Sequence, residues 1–247
     1  MTHSVTSISP ARAAFVTEVQ EQRRIYFACK RLLDIVGAAL LLLVLSPLML
    51  LIAILIRLGT PGPSICGQQR VGLRRCKGVR QAAWTIGTFK CYRFRTEYPN
   101  SDLGLQRERI EAYIRNDCEG TAELHGGDEK TFKTQRDPRV TRLGRLLLRS
   151  GLDELPQLWN VLTGCMSLVG PRPPIPYEVE LYEAWHHQRL EAKPGMTGLW
   201  QVTARSSVSF DRMVDLDVQY VESQSFWLDL RILLKTPLAV LRGHGAV

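Results

Sequence analysis

A run of 22 uncharged and mostly apolar residues, from Ile35 to Ile56, is the feature that most restricts how this chain can fold. As one α-helix it would be about 33 Å long, against roughly 30 Å for the hydrocarbon core of a bilayer. It begins too far into the chain, and is too long, for a cleaved secretory signal. We therefore expect a helix that lies within a membrane.

Both flanks of this apolar run are basic. Four basic residues lie between positions 23 and 31, and residues 57–96 contain nine basic residues and no acid. Basic flanks favour the cytoplasmic side of a membrane. A helix that crosses the membrane once cannot place both flanks on that side.

Ser46 and Pro47 stand at the middle of the run. A proline inside a helix removes one backbone hydrogen bond and bends the helix, and a neighbouring serine hydroxyl can bond to the freed carbonyl. We therefore predict a kinked, re-entrant membrane helix that enters the cytoplasmic leaflet and returns. A plain spanning helix is the alternative, because membrane helices commonly tolerate proline.

These patterns divide the chain into three predicted parts. Residues 1–20 are polar and without periodicity, which predicts a loose segment. Residues 21–60 would form an approach helix and the membrane hairpin, and residues 61–247 a small mixed α/β cytosolic domain. The strand-like stretches of that domain are 64–96 and 199–202, and its helix-like stretches are 103–118, 140–149 and 153–163.

The end of the chain carries an apolar stripe from Phe226 to Leu241, with basic residues beside it. Trp227 suits the headgroup level of a bilayer. The stripe therefore predicts an amphipathic interfacial helix. Packing against the core of the domain explains the same pattern equally well.

The cysteines and the net charge exclude several classes of protein. The six cysteines form no C-x-x-C pair and have no histidine at zinc spacing, so we expect reduced thiols in a cytosolic domain. The net charge is +8, but no zinc-finger or recognition-helix signature accompanies it. We expect no nucleic acid partner, since membrane lipid and phosphorylated substrates explain the basic stretch better.

Two adjacent acids, Asp153 and Glu154, open a leucine pattern with helical spacing, and Pro156 fits the first turn of a helix. A helix N-terminus favours bound phosphate. Two carboxylates beside a phosphate would repel it unless a divalent cation lay between them, so the pair predicts metal-assisted phosphoryl chemistry. The alternative is an ordinary helix start, with Asp153 as the N-cap and Glu154 as a first-turn acid.

Arginines near the acid pair are candidates for binding phosphate. A row of arginines that ends at Arg149 leads directly into the pair, although such a row is usually only a solvated face. Arg172 follows Gly170 and Pro171, and a guanidinium can bind phosphate through two parallel hydrogen bonds. The alternative for Arg172 is a surface residue on a rigid turn.

From about Lys30 to Arg242 the chain resembles the bacterial sugar transferases, the monotopic polyprenyl-phosphate phosphoglycosyl transferases. The combination of Leu152–Gln157 with Gly170–Pro173 is the most specific part of the resemblance. The short length and the Leu-Trp-Gln-Val sequence at 199–202 are similar to the members that initiate exopolysaccharide synthesis. The other matching motifs are Gln68-x-Arg70-Val71-Gly72, Phe94-Arg95-Thr96, Asp137-x-Arg139-Val140-Thr141, Pro194-Gly195-Met196-Thr197-Gly198 and Asp217-x-x-Tyr220.

The resemblance implies a reaction at the bacterial inner (cytoplasmic) membrane, with the catalytic domain on the cytoplasmic face. A sugar-1-phosphate would pass from a UDP-sugar to undecaprenyl phosphate. Asp153 would be the nucleophile that forms a covalent phosphosugar intermediate, and Asp153 and Glu154 would hold Mg²⁺. Arg95 and Arg205, which lie in matching stretches, join the two arginines above as candidates for binding substrate phosphates. The transferred sugar and the formation of a homo-oligomer are left open.

The chain departs from the family pattern near the acid pair. Leu148 replaces the arginine that is usual five residues before the nucleophile, and Cys165 replaces an acid. A longer insert covers residues 73–88. These differences keep a second hypothesis open, in which the chain is a non-catalytic, membrane-anchored paralogue that binds lipid phosphate or acts as a scaffold.

Overall fold

One long helix, α1 (Arg24–Gly59), contains the whole apolar run in the computed structural model of the chain. The structure describes residues 23–75, 84–98, 104–115, 139–204 and 208–241, so the predicted loose segment 1–20 lies outside it. Within these ranges, α1 is the one helix that is long and apolar enough to cross a membrane.

The hydrogen-bonded helix α1 continues through Pro47. Proline has no N–H, so the carbonyl of Leu43 loses its usual helical donor. The hydroxyl of Ser46 donates to this carbonyl at 2.9 Å, which is the bond that the sequence predicts. The division of the segment into two membrane helices stays a prediction, because α1 is a single helix on both sides of the proline.

Both ends of α1 pack against the rest of the chain, and one side of its middle is exposed. Near its start, Lys30 and Asp34 are buried, and near its end Ile52 and Ile56 are buried. Between these ends Leu42 and Met49 pack against the domain. Most of the other large apolar side chains are exposed, among them Leu40, Leu43, Val44, Leu48, Leu50 and Leu51. The part of the helix that meets no protein is therefore the apolar part.

Two small sheets follow. Strands β1 (Ile65–Arg75) and β2 (Trp84–Phe94) form an antiparallel pair with Ile65 opposite Phe94. Strands β3 (Ser167–Val169) and β4 (Gly195–Thr197) form a parallel pair. Gly170 and Gly195 touch through their backbones beside this pair, and a Cβ on either would overlap the other.

The strand predicted at 199–202 is wrong, because these residues begin α6 (Leu199–Thr203). The pairing lies instead at β4, inside the stretch that reads as a turn. Only glycine at 195 allows the close approach that the pairing needs, and Gly198 ends it as the N-cap of α6.

The remaining helices surround these sheets. They are α2 (Gly104–Ile114), α3 (Arg142–Ser150), α4 (Gln157–Thr163), α5 (Pro176–Glu180), α7 (Phe210–Ser223) and α8 (Phe226–Leu241), with 3₁₀ turns at Leu152–Glu154 and His186–Glu191. The fold is thus a mixed helix-and-sheet domain with an apolar N-terminal helix. One main core joins α1, β2, α4 and the C-terminal helices through Ala38, Phe89, Leu158, Tyr220 and Ile232.

Helix α8 has both of the characters expected from its sequence. Ile232 and Asp229 are fully buried on one side of the helix. On the other side, Trp227 and Leu234 are each 74% exposed. Core packing therefore accounts for one face, and an exposed apolar face remains.

Candidate active site

Asp153 and Glu154 lie in the 3₁₀ turn that connects α3 to α4. Gly151 ends α3 with a left-handed φ of 69°, and Pro156 is the N-cap of α4. The predicted α-helix over 153–163 therefore begins only at Gln157. Pro156 has no N–H to donate to the carbonyl of Leu152, and this carbonyl accepts from the N–H of Leu155 instead. The acids thus precede the helix rather than form its first turn.

Arg93 holds the two acids together. Its Nη2 donates to Asp153 Oδ2 at 2.5 Å and to Glu154 Oε1 at 3.4 Å, and its Nε also donates to Asp153 Oδ2 at 3.1 Å. Asp153 is only 2% exposed, so the guanidinium is its main source of compensating charge. Burial raises the pKa of Asp153 above its ordinary value, and Arg93 opposes this shift.

Asn160 connects β2, which carries Arg93, to α4, which follows the two acids. Its Oδ1 accepts from the N–H of Tyr92 at 2.9 Å, and its Nδ2 donates to the carbonyl of Lys90 at 2.7 Å. Arg93 sits next to Tyr92 on β2, and Asn160 is on α4. The hydrogen bonds of the Asn160 side chain therefore hold β2 and α4 together next to the ion pair between Arg93 and Asp153.

A small open cleft lies beside the acid pair. Its lining is rich in guanidinium groups and contains Glu154 but no second carboxylate. The lining residues are Arg70, Cys91, Arg93, Glu154, Gln157, Arg172, Pro173, Gly195, Met196 and Gln201. Arg93 is paired with the two acids, so Arg70 and Arg172 are the lining arginines whose charge suits an anionic ligand such as a diphosphate.

Arg70 is buried at the side of the cleft. It donates to the carbonyl of Pro173 at 2.9 Å and to Gln68 Oε1 at 2.8 Å. Burial, with a smaller contribution from Arg172, lowers the pKa of Arg70 to about 10, so it stays cationic at neutral pH. Arg70 also ties β1 to the segment that carries Arg172.

The segment that carries Arg172 is held from several directions. Lys30 of α1 donates to the carbonyl of Val169 at 2.9 Å, and the N–H of Gly195 donates to the carbonyl of Pro171 at 2.9 Å. Arg189 donates to the carbonyl of Arg172 at 3.4 Å. The clamp position predicted for Arg172 therefore lies on a braced turn at the edge of the cleft.

A buried ion pair lies behind this turn. Arg189 donates to Asp217 Oδ2 at 2.6 Å and to the hydroxyl of Tyr182 at 2.9 Å. Burial raises the pKa of Asp217 to about 6, although Arg189 lowers it. Asp217 and Tyr220, the ends of one matching motif, are therefore internal residues that support the fold.

Arg95 and Arg149, two of the other predicted phosphate-binding arginines, are not among the residues that line this cleft. Arg95 donates to the carbonyl and the hydroxyl of Thr60, at 2.8 and 2.7 Å, and so holds the chain where it leaves α1. Arg149 is exposed on α3. Arg205 lies outside the described residues.

Leu148 and Cys165, two of the departures from the family pattern, are not among the residues that line the cleft. Cys165 packs against the main core.

Sequence reasoning did not assign Arg93, Arg70, Gln157 or Gln201 to the site, although the last three lie in matching motifs. The alternation of side chains along a strand could have pointed to Arg93, because it places Cys91 and Arg93 on the same face of β2. Antiparallel register then sets Cys66 opposite Arg93 and Gln68 opposite Cys91, on that same face. The sequence alone does not show which face meets the acid pair.

The acid pair fits Mg²⁺ in one of its usual modes. Mg²⁺ is commonly bound by one or two carboxylates together with substrate phosphates and water. Asp153 and Glu154 supply such a pair at the edge of a cleft suited to phosphate. Among the described residues, no group of three or more histidine, cysteine or acidic side chains could form a complete protein cage for a metal.

Comparison with known proteins shows which family this chain belongs to. Residues 25–243 match the family model described as bacterial sugar transferase. The chain is 43% identical over 217 residues to the undecaprenyl-phosphate galactose phosphotransferase of Salmonella typhimurium, which covers 88% of this chain and 41% of that protein.

Two further relatives are closer to this chain in length. The exopolysaccharide production protein ExoY of Rhizobium meliloti is 38% identical, over 88% of this chain and 87% of the relative. The UDP-glucose:undecaprenyl-phosphate glucose-1-phosphate transferase of Caulobacter vibrioides is 36% identical, over 88% and 71%. The chain thus spans about two fifths of the Salmonella protein but most of ExoY.

Proposed function

Because this chain belongs to the bacterial sugar transferase family, we propose that it transfers a sugar-1-phosphate from a UDP-sugar to undecaprenyl phosphate. This transfer would initiate synthesis of an exopolysaccharide or another glycoconjugate. The names of the three relatives support the reaction and the lipid acceptor. The observation that carries the proposal is the buried Asp153–Arg93–Glu154 arrangement beside a cleft with three arginines.

In the proposed first step, Asp153 attacks the phosphorus that bears the sugar. The bond from that phosphorus to the bridging oxygen of the diphosphate breaks, and UMP leaves. In the second step, a phosphate oxygen of undecaprenyl phosphate attacks the aspartyl phosphosugar and the aspartyl bond breaks. The products are undecaprenyl diphosphate sugar and the free carboxylate of Asp153.

The surrounding residues have separate roles in this proposal. Arg93 positions the carboxylate of Asp153 through two donors. Arg70 and Arg172 bind the diphosphate, and their charge favours UMP as the leaving group. Asp153 and Glu154 would hold Mg²⁺ together with the donor phosphates, and the ion would supply further charge neutralisation.

We also propose that α1 is re-entrant and that the domain faces the cytoplasm. A helix whose two ends pack on one domain cannot place those ends on opposite sides of a bilayer. Ala38 near the first end and Ile56 near the second are both buried against that domain, which supports a helix that dips into one leaflet. The basic flanks support the cytoplasmic face.

Release of UMP tests the proposed reaction. The purified full chain is assayed with a panel of UDP-sugars, undecaprenyl phosphate and Mg²⁺. We expect release with a subset of donors, and its loss in Asp153→Asn. Asp215→Asn is the matched control, because Asp215 is a half-buried acid on α7 that is not among the residues lining the cleft. Mass spectrometry with the acceptor omitted should find a phosphosugar on the peptide that contains Asp153.

Two results would contradict this reaction. Full turnover in Asp153→Asn would exclude the nucleophile. No release with any donor would favour the alternative, a non-catalytic paralogue that binds lipid phosphate.

A further inference from the structure

Helix α3 has two faces of opposite character. One face packs on the returning half of α1, where Leu147 joins Ile52 and Ile56 in a buried cluster. The other face is exposed and mixes charge with one leucine, which is 61% exposed. We call this surface the arginine face, and it consists of Arg142, Arg145, Leu146 and Arg149.

The arginine face has no counter-charge of its own. The segment 139–152 contains no acidic residue. Within the described part of the chain, none of the three arginines forms an ion pair or a side-chain hydrogen bond. Like charges three and four residues apart on a helix repel one another, so this surface would be stabilised by an external anion.

The position of α3 indicates which anion that is. The helix packs against Ile52 and Ile56, just before Arg57, where the apolar run ends. This is the level at which α1 would leave the bilayer, and lipid phosphates lie at that level. The presence of an exposed leucine among the arginines also suits a bilayer surface better than free solvent.

We propose that the arginine face binds the anionic headgroups of the bilayer that holds α1. The guanidinium groups bind lipid phosphates, and Leu146 inserts between the headgroups. Each basic residue at an anionic surface favours binding roughly fivefold at low salt, so three together should contribute on the order of a hundredfold. The inference rests on the membrane setting proposed for α1 and not on the reaction.

The consequence concerns the acid pair. Asp153 follows the end of α3 by three residues. A lipid contact along α3 would therefore hold the cleft at the headgroup level, where a lipid-linked phosphate is presented. This placement would serve a catalytic or a non-catalytic chain equally.

Competition between two vesicle types tests the proposal. The full chain, added from detergent, distributes between dense phosphatidylcholine vesicles and light vesicles that also contain phosphatidylglycerol, and centrifugation separates the two. The test variant is Arg142→Gln/Arg145→Gln/Arg149→Gln. The matched control, Arg107→Gln/Arg115→Gln/Arg212→Gln, removes the same charge from exposed arginines on α2, α7 and the residue after α2. Circular dichroism verifies that both variants fold.

We expect the wild type and the control to prefer the anionic vesicles by at least tenfold, and the test variant to lose most of this preference. High salt should remove the preference of the wild type. Equal partition of wild type and test variant would overturn the proposal, and so would an equal loss in the control. Failure to bind any vesicle would instead contradict the membrane setting of α1.

Discussion

The buried contact between Lys30 and Asp229 should behave as one energetic unit. Lys30 of α1 donates to Asp229 Oδ2 at 2.8 Å, to the carbonyl of Val169 at 2.9 Å and to the hydroxyl of Tyr220 at 3.1 Å. Asp229 is fully buried in α8 and also accepts from the hydroxyls of Tyr26 and Tyr220. Removal of Lys30 therefore leaves a buried carboxylate with hydroxyl donors but no cation.

The size of the effect follows from this geometry. Loss of one partner of a buried ion pair commonly destabilises a protein by about 3–5 kcal/mol. We expect the lower end, about 3 kcal/mol, for Lys30→Met, because two tyrosine hydroxyls still bond to the carboxylate. Asp229→Asn should cost a similar amount. The double variant should cost about the same as either single one, since each removes the same interaction.

Urea unfolding in detergent micelles, followed by tryptophan fluorescence, measures these differences. Arg231→Met is the control, because it removes an exposed cation from the same helix and should change stability by less than about 0.5 kcal/mol. Additive losses of about 6 kcal/mol in the double variant would refute the reasoning, because the two residues would then act independently.

Three further predictions concern the site and its supports. Arg93→Met should lower the rate of UMP release by about 10²–10³-fold, because Asp153 loses both donors, and Arg93→Lys should lower it less; a change within twofold would exclude the positioning role. Gly144→Ala should destabilise the fold by about 1–3 kcal/mol, since a Cβ there overlaps the carbonyl of Thr96; an unchanged thermal midpoint would contradict this. Burial raises the pKa of Asp217 to about 6, so the folded state binds its proton more tightly than the unfolded state. The stability of the wild type relative to Asp217→Asn should therefore fall by up to about 3 kcal/mol between pH 4 and pH 6.5, and parallel pH profiles would contradict it.

The sequence predicted those helices and hydrogen bonds that depend on a local pattern, such as an apolar run or a single proline. The uncharged run predicts α1, and the leucine spacing predicts α3. Ser46 was predicted to bond to the carbonyl freed by Pro47, and its hydroxyl does so. These features depend on residues within a few positions of one another.

The parts that the sequence did not predict depend on distant contacts. Arg93 lies 60 residues before Asp153, and nothing in its neighbourhood distinguishes it from Arg95. The strand at Gly195–Thr197 exists because its backbone meets that of Gly170, which no local propensity reveals. The 3₁₀ turn at the acid pair is an intermediate case. The sequence shows that Pro156 has no N–H, and it follows that the carbonyl of Leu152 must accept from another donor, which is the N–H of Leu155.

During synthesis, the buried polar residues of α1 emerge long before the residues that they contact in the finished fold. Lys30 and Asp229 are 199 residues apart, and translation at about 5–20 residues per second separates their appearance by roughly 10–40 s. Asp34 is likewise synthesised well before Ser167 and Leu168, which donate hydrogen bonds to its carboxylate. Helix α1 is therefore available to a membrane long before its polar residues have partners, and these residues must stay hydrated at the bilayer surface in the meantime. Membrane insertion would come first, and the arrival of α8 would be the step that locks the inserted helix to the finished domain.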